Sequence, residues 1–408
     1  MALQKIVLQR PKAHKATRLA IFVSLLLTFH FSAFTLKAQD TNTVLLHIDG
    51  STFFIDNEYF GDRVRGYTLP GFVLQPKVEY RLSDKVSLTG GIHWLNYWGA
   101  RNYPVTSAYD AYPRYDSISR PMHLLPWLQA RIDFTPKLTL LLGCLDNGDH
   151  HLPMPLYNYE RAVVGDPEAG LELKFSSPGL EMDFWTDWRE FIWYRSPILE
   201  RFTMGFSGKL YNDFGRWTLY LPLHFVAQHE GGQSMADAAD SLPNNSNFNA
   251  AAGLGIIMYE FTDHSHLDFS CHAMLYHQHK NSTVPFTKGW GIYPEVKLIG
   301  DHWGVLASYW YGKEFVPLMG SWHFSNLSAN TAGLTFDRTR VITLSARWKW
   351  SPFDKPGHSS CFLTLHGTLY HYLPSTGTSA DGATHEYDHR NQFTIGVAFN
   401  FAPTITLF

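Results

Sequence analysis

From residue 44 to the end, apolar and polar positions alternate in short runs. The last run is the clearest. Phe393, Ile395, Val397, Phe399 and Phe401 fall at every second position, with Thr394, Gly396, Ala398 and Asn400 between them. Period two puts one set on each face of a β-strand. The same pattern recurs upstream. Val44, Leu46, Ile48, Thr52 and Phe54 oppose His47, Asp49 and Ser51. Leu88, Ile92 and Trp94 oppose Ser87, Thr89 and His93. Met122, Leu124, Leu128 and Ile132 oppose His123, Gln129, Arg131 and Asp133. Leu171, Leu173 and Phe175 oppose Glu172 and Lys174. Tight turns separate alternate pairs: Ser83-Asp84, Thr135-Pro136-Lys137, Ser177-Pro178-Gly179, Asn212-Asp213, Thr262-Asp263-His264 and Gly300-Asp301. The other connections are long and polar, near residues 99–119, 146–167, 229–247 and 312–331.

Short and long connections therefore alternate along about 16 strands, the layout of an outer-membrane barrel with short periplasmic turns and long external loops. The expected fold is all-β: a transmembrane antiparallel β-barrel. An even strand count leaves both termini in the periplasm. Tyr80, Trp94, Trp98, Trp217, Trp303, Trp348 and Trp350 sit at strand ends, where aromatic girdles form. The final strand, closing on Phe408, resembles the C-terminal assembly signal of bacterial outer-membrane barrels, although Ala402-Pro403 interrupts its alternation and leaves Phe408 on a short tail. Arg338 and Arg340 break phase, which predicts a bulge or a longer loop there.

Composition sharpens this picture. Hydrophobic residues make up 45%, aromatic residues 15% and charged residues 17% of 408. Mean hydropathy is nevertheless only -0.17, and beyond the N-terminus no apolar run is long enough for a membrane helix. Net charge is -3, which gives no reason to expect nucleic acid as a partner. The N-terminus reads as a secretory signal over residues 1–38: a basic region with Lys5, Arg10, Lys12, Lys15 and Arg18, an apolar core from Leu19 to Phe34, and a cleavage point after Ala38. The mature barrel then covers 39–408, in the outer membrane of a Gram-negative bacterium. Cys144, Cys271 and Cys361 are too far apart for metal spacing and read as small apolar residues.

The layout resembles general porins of about 16 strands. The segment Leu180 to Lys209, with Met182-Asp183-Phe184-Trp185-Thr186-Asp187-Trp188 and Met204-Gly205-Phe206-Ser207-Gly208-Lys209, is similar to uncharacterised porin-like outer-membrane proteins of the Bacteroidota. The resemblance brings no catalytic residues with it.

The polar phase predicts the lumen lining: Lys77, Glu79, Arg81, Arg131, Asp133, Glu172, Lys174, Glu181, Asp183, Trp185, Asp187, Arg216, Glu295, Lys297, Arg347 and Lys349. Its charges nearly balance, which predicts at most modest ion selectivity. The long loop near 146–167 carries Asp146, Asp149, His150 and His151. It reads as a constriction folded into the lumen or as a surface loop; adjacent histidines lack the helical spacing of a zinc motif, so no metal is expected. Trp185 offers a surface on which a sugar could stack. No cofactor is implied. The leading expectation is a non-enzymatic channel for small hydrophilic solutes, set among outer-membrane lipid and lipopolysaccharide, with a homo-oligomer or an envelope protein as partner. A non-conducting structural or assembly subunit is the alternative. A third reading is a lipid or lipopolysaccharide hydrolase using serine with His224, His272 or His366 on the lumen face.

Overall fold

A computed structural model describes residues 43–407, except 99–121, 146–147, 149, 193–198, 232–243, 280–283 and 352–360. The expected signal segment, Asp146, Asp149 and Phe408 lie outside the described residues.

The wall forms in chain order from β1 (Val44–Glu58), β2 (Tyr67–Ser83), β3 (Val86–Tyr97), β4 (Met122–Thr135), β5 (Leu138–Cys144), β6 (Ala169–Ser177), β7 (Leu180–Glu190) and β8 (Glu200–Phe214). It continues through β9 (Trp217–Gly231), β10 (Asn245–Thr262), β11 (Ser265–Gln278), β12 (Lys288–Gly300) and β13 (Trp303–Lys313). After the short β14 (Thr335–Phe336) come β15 (Thr339–Trp350) and β16 (Cys361–Tyr372); β17 (Ser375–Thr378) and β18 (Thr384–Tyr387) precede β19 (Arg390–Phe401) and β20 (Thr404–Thr406). Each wall strand pairs antiparallel with its neighbours, and β1 closes the ring on β19 with Gly50 opposite Phe401 and Glu58 opposite Phe393. Setting aside β14, β17 and β18, which form a separate small sheet, and β20, the wall has 16 strands. Closure is what a bilayer demands, because a free edge would leave backbone groups unpaired in hydrocarbon.

Past Ala402-Pro403 the chain does not stop pairing. Proline cannot donate to the ladder, so the strand breaks there and resumes as β20, which places Thr404 opposite His47 and Thr406 opposite Leu45. Arg338 precedes β15, whereas Arg340 lies within it and bonds the Pro374 carbonyl. Phe393, Ile395, Leu88, Ile92, Leu124 and Leu128 are all exposed, on the outer face that meets lipid. The three cysteines are free.

The opposite phase points into the lumen, and part of the lumen is filled. Among the described residues, two connections supply most of the inward-packed apolar side chains. Leu145, Leu152, Met154, Leu156 and Tyr157 come from the β5–β6 connection; Phe315, Val316, Met319, Phe324 and Leu327 come from the connection after β13. They pack on the wall residues Trp185, Tyr293, Trp310 and Tyr370. Trp310 meets Phe315 edge-on at 4.9 Å and Phe324 at 5.7 Å. The irregular backbone is satisfied as burial requires. Asn249 donates to the Val316 carbonyl at 3.0 Å and accepts from the Leu318 amide at 2.9 Å. The two connections bond each other, Ser321 to Met154 and Asn158 to Met319. A helical turn, α1 (Arg161–Val164), packs Val164 against Phe53, Ile55, Leu69, Leu95 and Tyr97 on β1 to β3.

Removing a fully buried aromatic ring leaves a void that the wall cannot collapse into. Phe324→Ala should therefore destabilise the barrel by about 3–5 kcal/mol, read from guanidinium unfolding in detergent. A loss under about 1 kcal/mol would mean that the inward loops are not packed in solution.

Candidate functional site

Among the polar clusters of the described residues, three bear on function. The first is a cavity of about 560 Å³ below the β5–β6 connection, reaching the short-turn end of the barrel at Pro136, Lys137 and Ser176. Asp183, Ser207 and His224 line it from adjacent strands, in one register row. His272 joins them, its ring 5.7 Å from that of His224, and both Nδ1 atoms lack a partner. Ser270 donates to Glu295 at 3.2 Å, and Lys297 pairs with the same carboxylate at 2.7 Å.

The second site hangs from the inward loop. His150 and His151 both have positive φ, 47° and 58°, a conformation that side-chain-bearing residues adopt only when their surroundings impose it. Here it delivers the His150 ring onto Trp185, stacked at 3.8 Å with 2° between the planes. His150 Nδ1 lies 2.9 Å from Asp183 Oδ2 and 3.5 Å from Glu172 Oε1; Nε2 lies 2.9 Å from Glu168 Oε2. Burial works against a charge on this imidazole, but bonds to Asp183, Glu168 and Glu172 outweigh it and push its pKa up to about 11. His150 is therefore unsuited to act as a general base near neutrality.

The third site lies at the long-loop end, at the opposite end of the barrel from the cavity's mouth. His123, the second residue of β4, bonds both oxygens of Asp166 through Nδ1, at 2.8 and 3.0 Å. Asp166 follows α1, so the packing of Val164 on β1 to β3 fixes its position. His93 of β3 completes the group. Its Nδ1 meets the Gln75 amide nitrogen at 2.8 Å, and its Nε2 lies 3.9 Å from Asp166 with no hydrogen-bond partner. If the Gln75 amide donates, the proton of His93 is on Nε2 and faces this group. Met122 and Leu124, flanking His123, are exposed on the lipid face. A carboxylate-oriented imidazole at this height has the parts of a general base beside the membrane surface.

The charged residues expected along the lumen mostly pair among themselves. Lys77 holds Asp49 and lies over Trp127, Glu79 takes His47 and Arg81, Arg131 takes Asp133, and Lys174 takes Glu172. Glu181 lies opposite Lys209 in register. Asp187 is buried beside Arg189. Arg347 and Lys349 share the phase of buried Val341 and Thr343 but lie toward the exposed short-turn end, with Lys349 over Phe362. Arg216 is not on the wall: it occupies the turn between β8 and β9, mostly exposed, and bonds the Glu260 carbonyl. Trp185 is fully buried, and one face is covered by His150, so it has no open face for a sugar. His150 is drawn inward, while His151 is exposed at the edge of the cavity. His366 packs against Gly396, where an added Cβ would come within 2.0 Å of its ring. Asp166 was missed because it lies in a loop, outside any alternation.

The model of a family described as Lipid A 3'-O-deacylase-type matches residues 36–408. The chain belongs to this family. This overturns the expectation of a non-enzymatic solute channel, and with it the assembly-subunit alternative; a deacylase family supports the hydrolase reading instead. No curated protein matches the chain. Among solved structures it is similar to Acinetobacter baumannii OccAB4, at 8% identity and TM-score 0.49, covering 90% of this chain and 99% of that one. It is also similar to the outer membrane protein OprD from Pseudomonas aeruginosa, at 10% identity and TM-score 0.47, covering 91% and 96%.

Gly205 lies opposite Trp185, and an added Cβ would meet the indole at 2.0 Å. Gly205→Val should push Trp185 off His150 at a cost of about 1–3 kcal/mol, seen in guanidinium unfolding. Wild-type stability in this variant would show that the stack is dispensable.

Proposed function

We propose that this protein is an outer-membrane deacylase that hydrolyses an ester-linked acyl chain of a lipid A-type glycolipid. The family match across residues 36–408 carries the reading. The site we assign is the His123–Asp166 pair with His93. Depth selects it over the His224–His272 cavity: lipid A occupies the outer leaflet, and its ester bonds lie just below the headgroups, at the long-loop end.

In this mechanism Asp166 holds the His123 Nδ1–H, and Nε2 takes a proton from water. The resulting hydroxide attacks the acyl carbonyl. Asp166 stabilises the imidazolium that forms, and the His93 Nε2–H offers a bond to the developing oxyanion. Collapse breaks the ester C–O bond, and His123 returns its proton to the departing sugar oxygen. The products are a free fatty acid and a glycolipid shortened by one chain.

The test is mass spectrometry of lipid A incubated with the folded barrel in detergent micelles. Loss of one acyl chain is expected, with His123→Ala slower by about 100- to 10,000-fold and Asp166→Asn also impaired. His224→Ala should stay close to wild type. Undiminished activity in His123→Ala would move the chemistry elsewhere, and an inert wild-type barrel would sink the deacylase reading.

A further inference from the structure

The buried knot at His150 plays no part in the chemistry assigned to His123, yet its arrangement calls for a positive charge. Glu168 accepts a hydrogen bond at Nε2, which leaves Nδ1 facing two carboxylates, Asp183 at 2.9 Å and Glu172 at 3.5 Å. A bare nitrogen lone pair against two anions is repulsive, so something positive must lie between them. The carboxylates also have spare capacity. Glu172 Oε2 and Asp183 Oδ1 are buried with no hydrogen-bond partner, a costly state for an ionised group. Among the described residues, His150, Glu172 and Asp183 each offer a ligand atom, all within 4.8 Å of one another.

We infer that His150 Nδ1, Glu172 and Asp183 form a binding site for a first-row divalent cation of the zinc class. One imidazole with two carboxylates suits zinc, and manganese next, whereas calcium requires six to eight oxygens. The surroundings are those of a ligating histidine. Glu168 on the far nitrogen is the outer carboxylate that fixes the tautomer of a metal-bound imidazole. Trp185 clamps the ring face. Glu172 of β6 and Asp183 of β7 come from paired strands, since Glu172 is opposite Trp185 and Lys174 opposite Asp183. The ammonium of Lys174, 2.9 Å from Glu172, competes for that carboxylate; its side chain is about half exposed (49%) and can swing away. A cation here would staple the inward loop to the wall. The site stands apart from the deacylase assignment.

The experiment is metal analysis and calorimetry on the folded barrel after chelator treatment, with zinc, manganese and calcium as separate titrants. One zinc per chain is expected, with manganese weaker and calcium not competing. Glu172→Gln and Asp183→Asn should each weaken zinc at least about 10-fold, and Glu168→Gln by about 10- to 100-fold through the ring's far nitrogen. Folding of each variant is checked by heat-dependent mobility on a gel. Should the two ligand variants fail to fold, Glu168→Gln decides. A folded wild type that takes up neither zinc nor manganese would overturn the site and assign the positive charge to a proton on Nδ1. So would zinc affinity unchanged in the folded variants. The readout is binding, so its failure and the failure of lipid hydrolysis are separate results.

Discussion

The structure depends on one constraint: a sheet in a bilayer must close, and one of sixteen strands closes around a space too wide for its own side chains to fill. Wall residues reach only part of the way. Two connections turn inward and bring their own apolar core, with Phe315, Phe324 and Leu156 meeting Trp310 and Tyr293 in the middle of the barrel. Because irregular backbone is then buried, its amides and carbonyls need partners, and Asn249 and Asn326 supply them. The polar sites sit where this second core stops.

The wall was legible in the sequence because both of its faces have a fixed solvent. Lipid on the outer face forces Phe393, Ile395 and Phe399 into one phase. The turn Ser177-Pro178-Gly179 then fixes register, with Ser177 opposite Leu180. Arg216 shows the limit: alternation cannot say where a strand begins, and β9 starts at Trp217, one residue after the pattern does. The resumption of pairing at Thr404 was hidden by Pro403, whose missing amide interrupts a ladder without ending it.

The interior was less legible, for a different reason. Period two shows that the inward face is polar, but not whether water or another part of the chain meets it. Balanced charges on the wall suggested a solute path, yet most of them pair with a neighbour. His123 and His93 were visible as lumen-phase residues; their partner Asp166 is 43 residues from His123, in a loop with no periodicity. Only the packing of α1 brings it into place. His150 was visible as one of two adjacent histidines, but the carboxylates around it come from two strands and a loop, so no spacing rule could find them.

That packing also ties the site to the seam of the barrel. Glu160, at the start of α1, bonds Asn57 of β1 and Tyr67 of β2. Asn57 and Tyr59 in turn bond Thr394 of β19. The support under Asp166 is thus made partly by the first and last strands together. A chain crossing the periplasm has not yet joined those strands, so it carries His123 without a partner held in place. The final zipping of the wall would thus be the event that sets Asp166 against His123, and with it completes the site proposed for the deacylase.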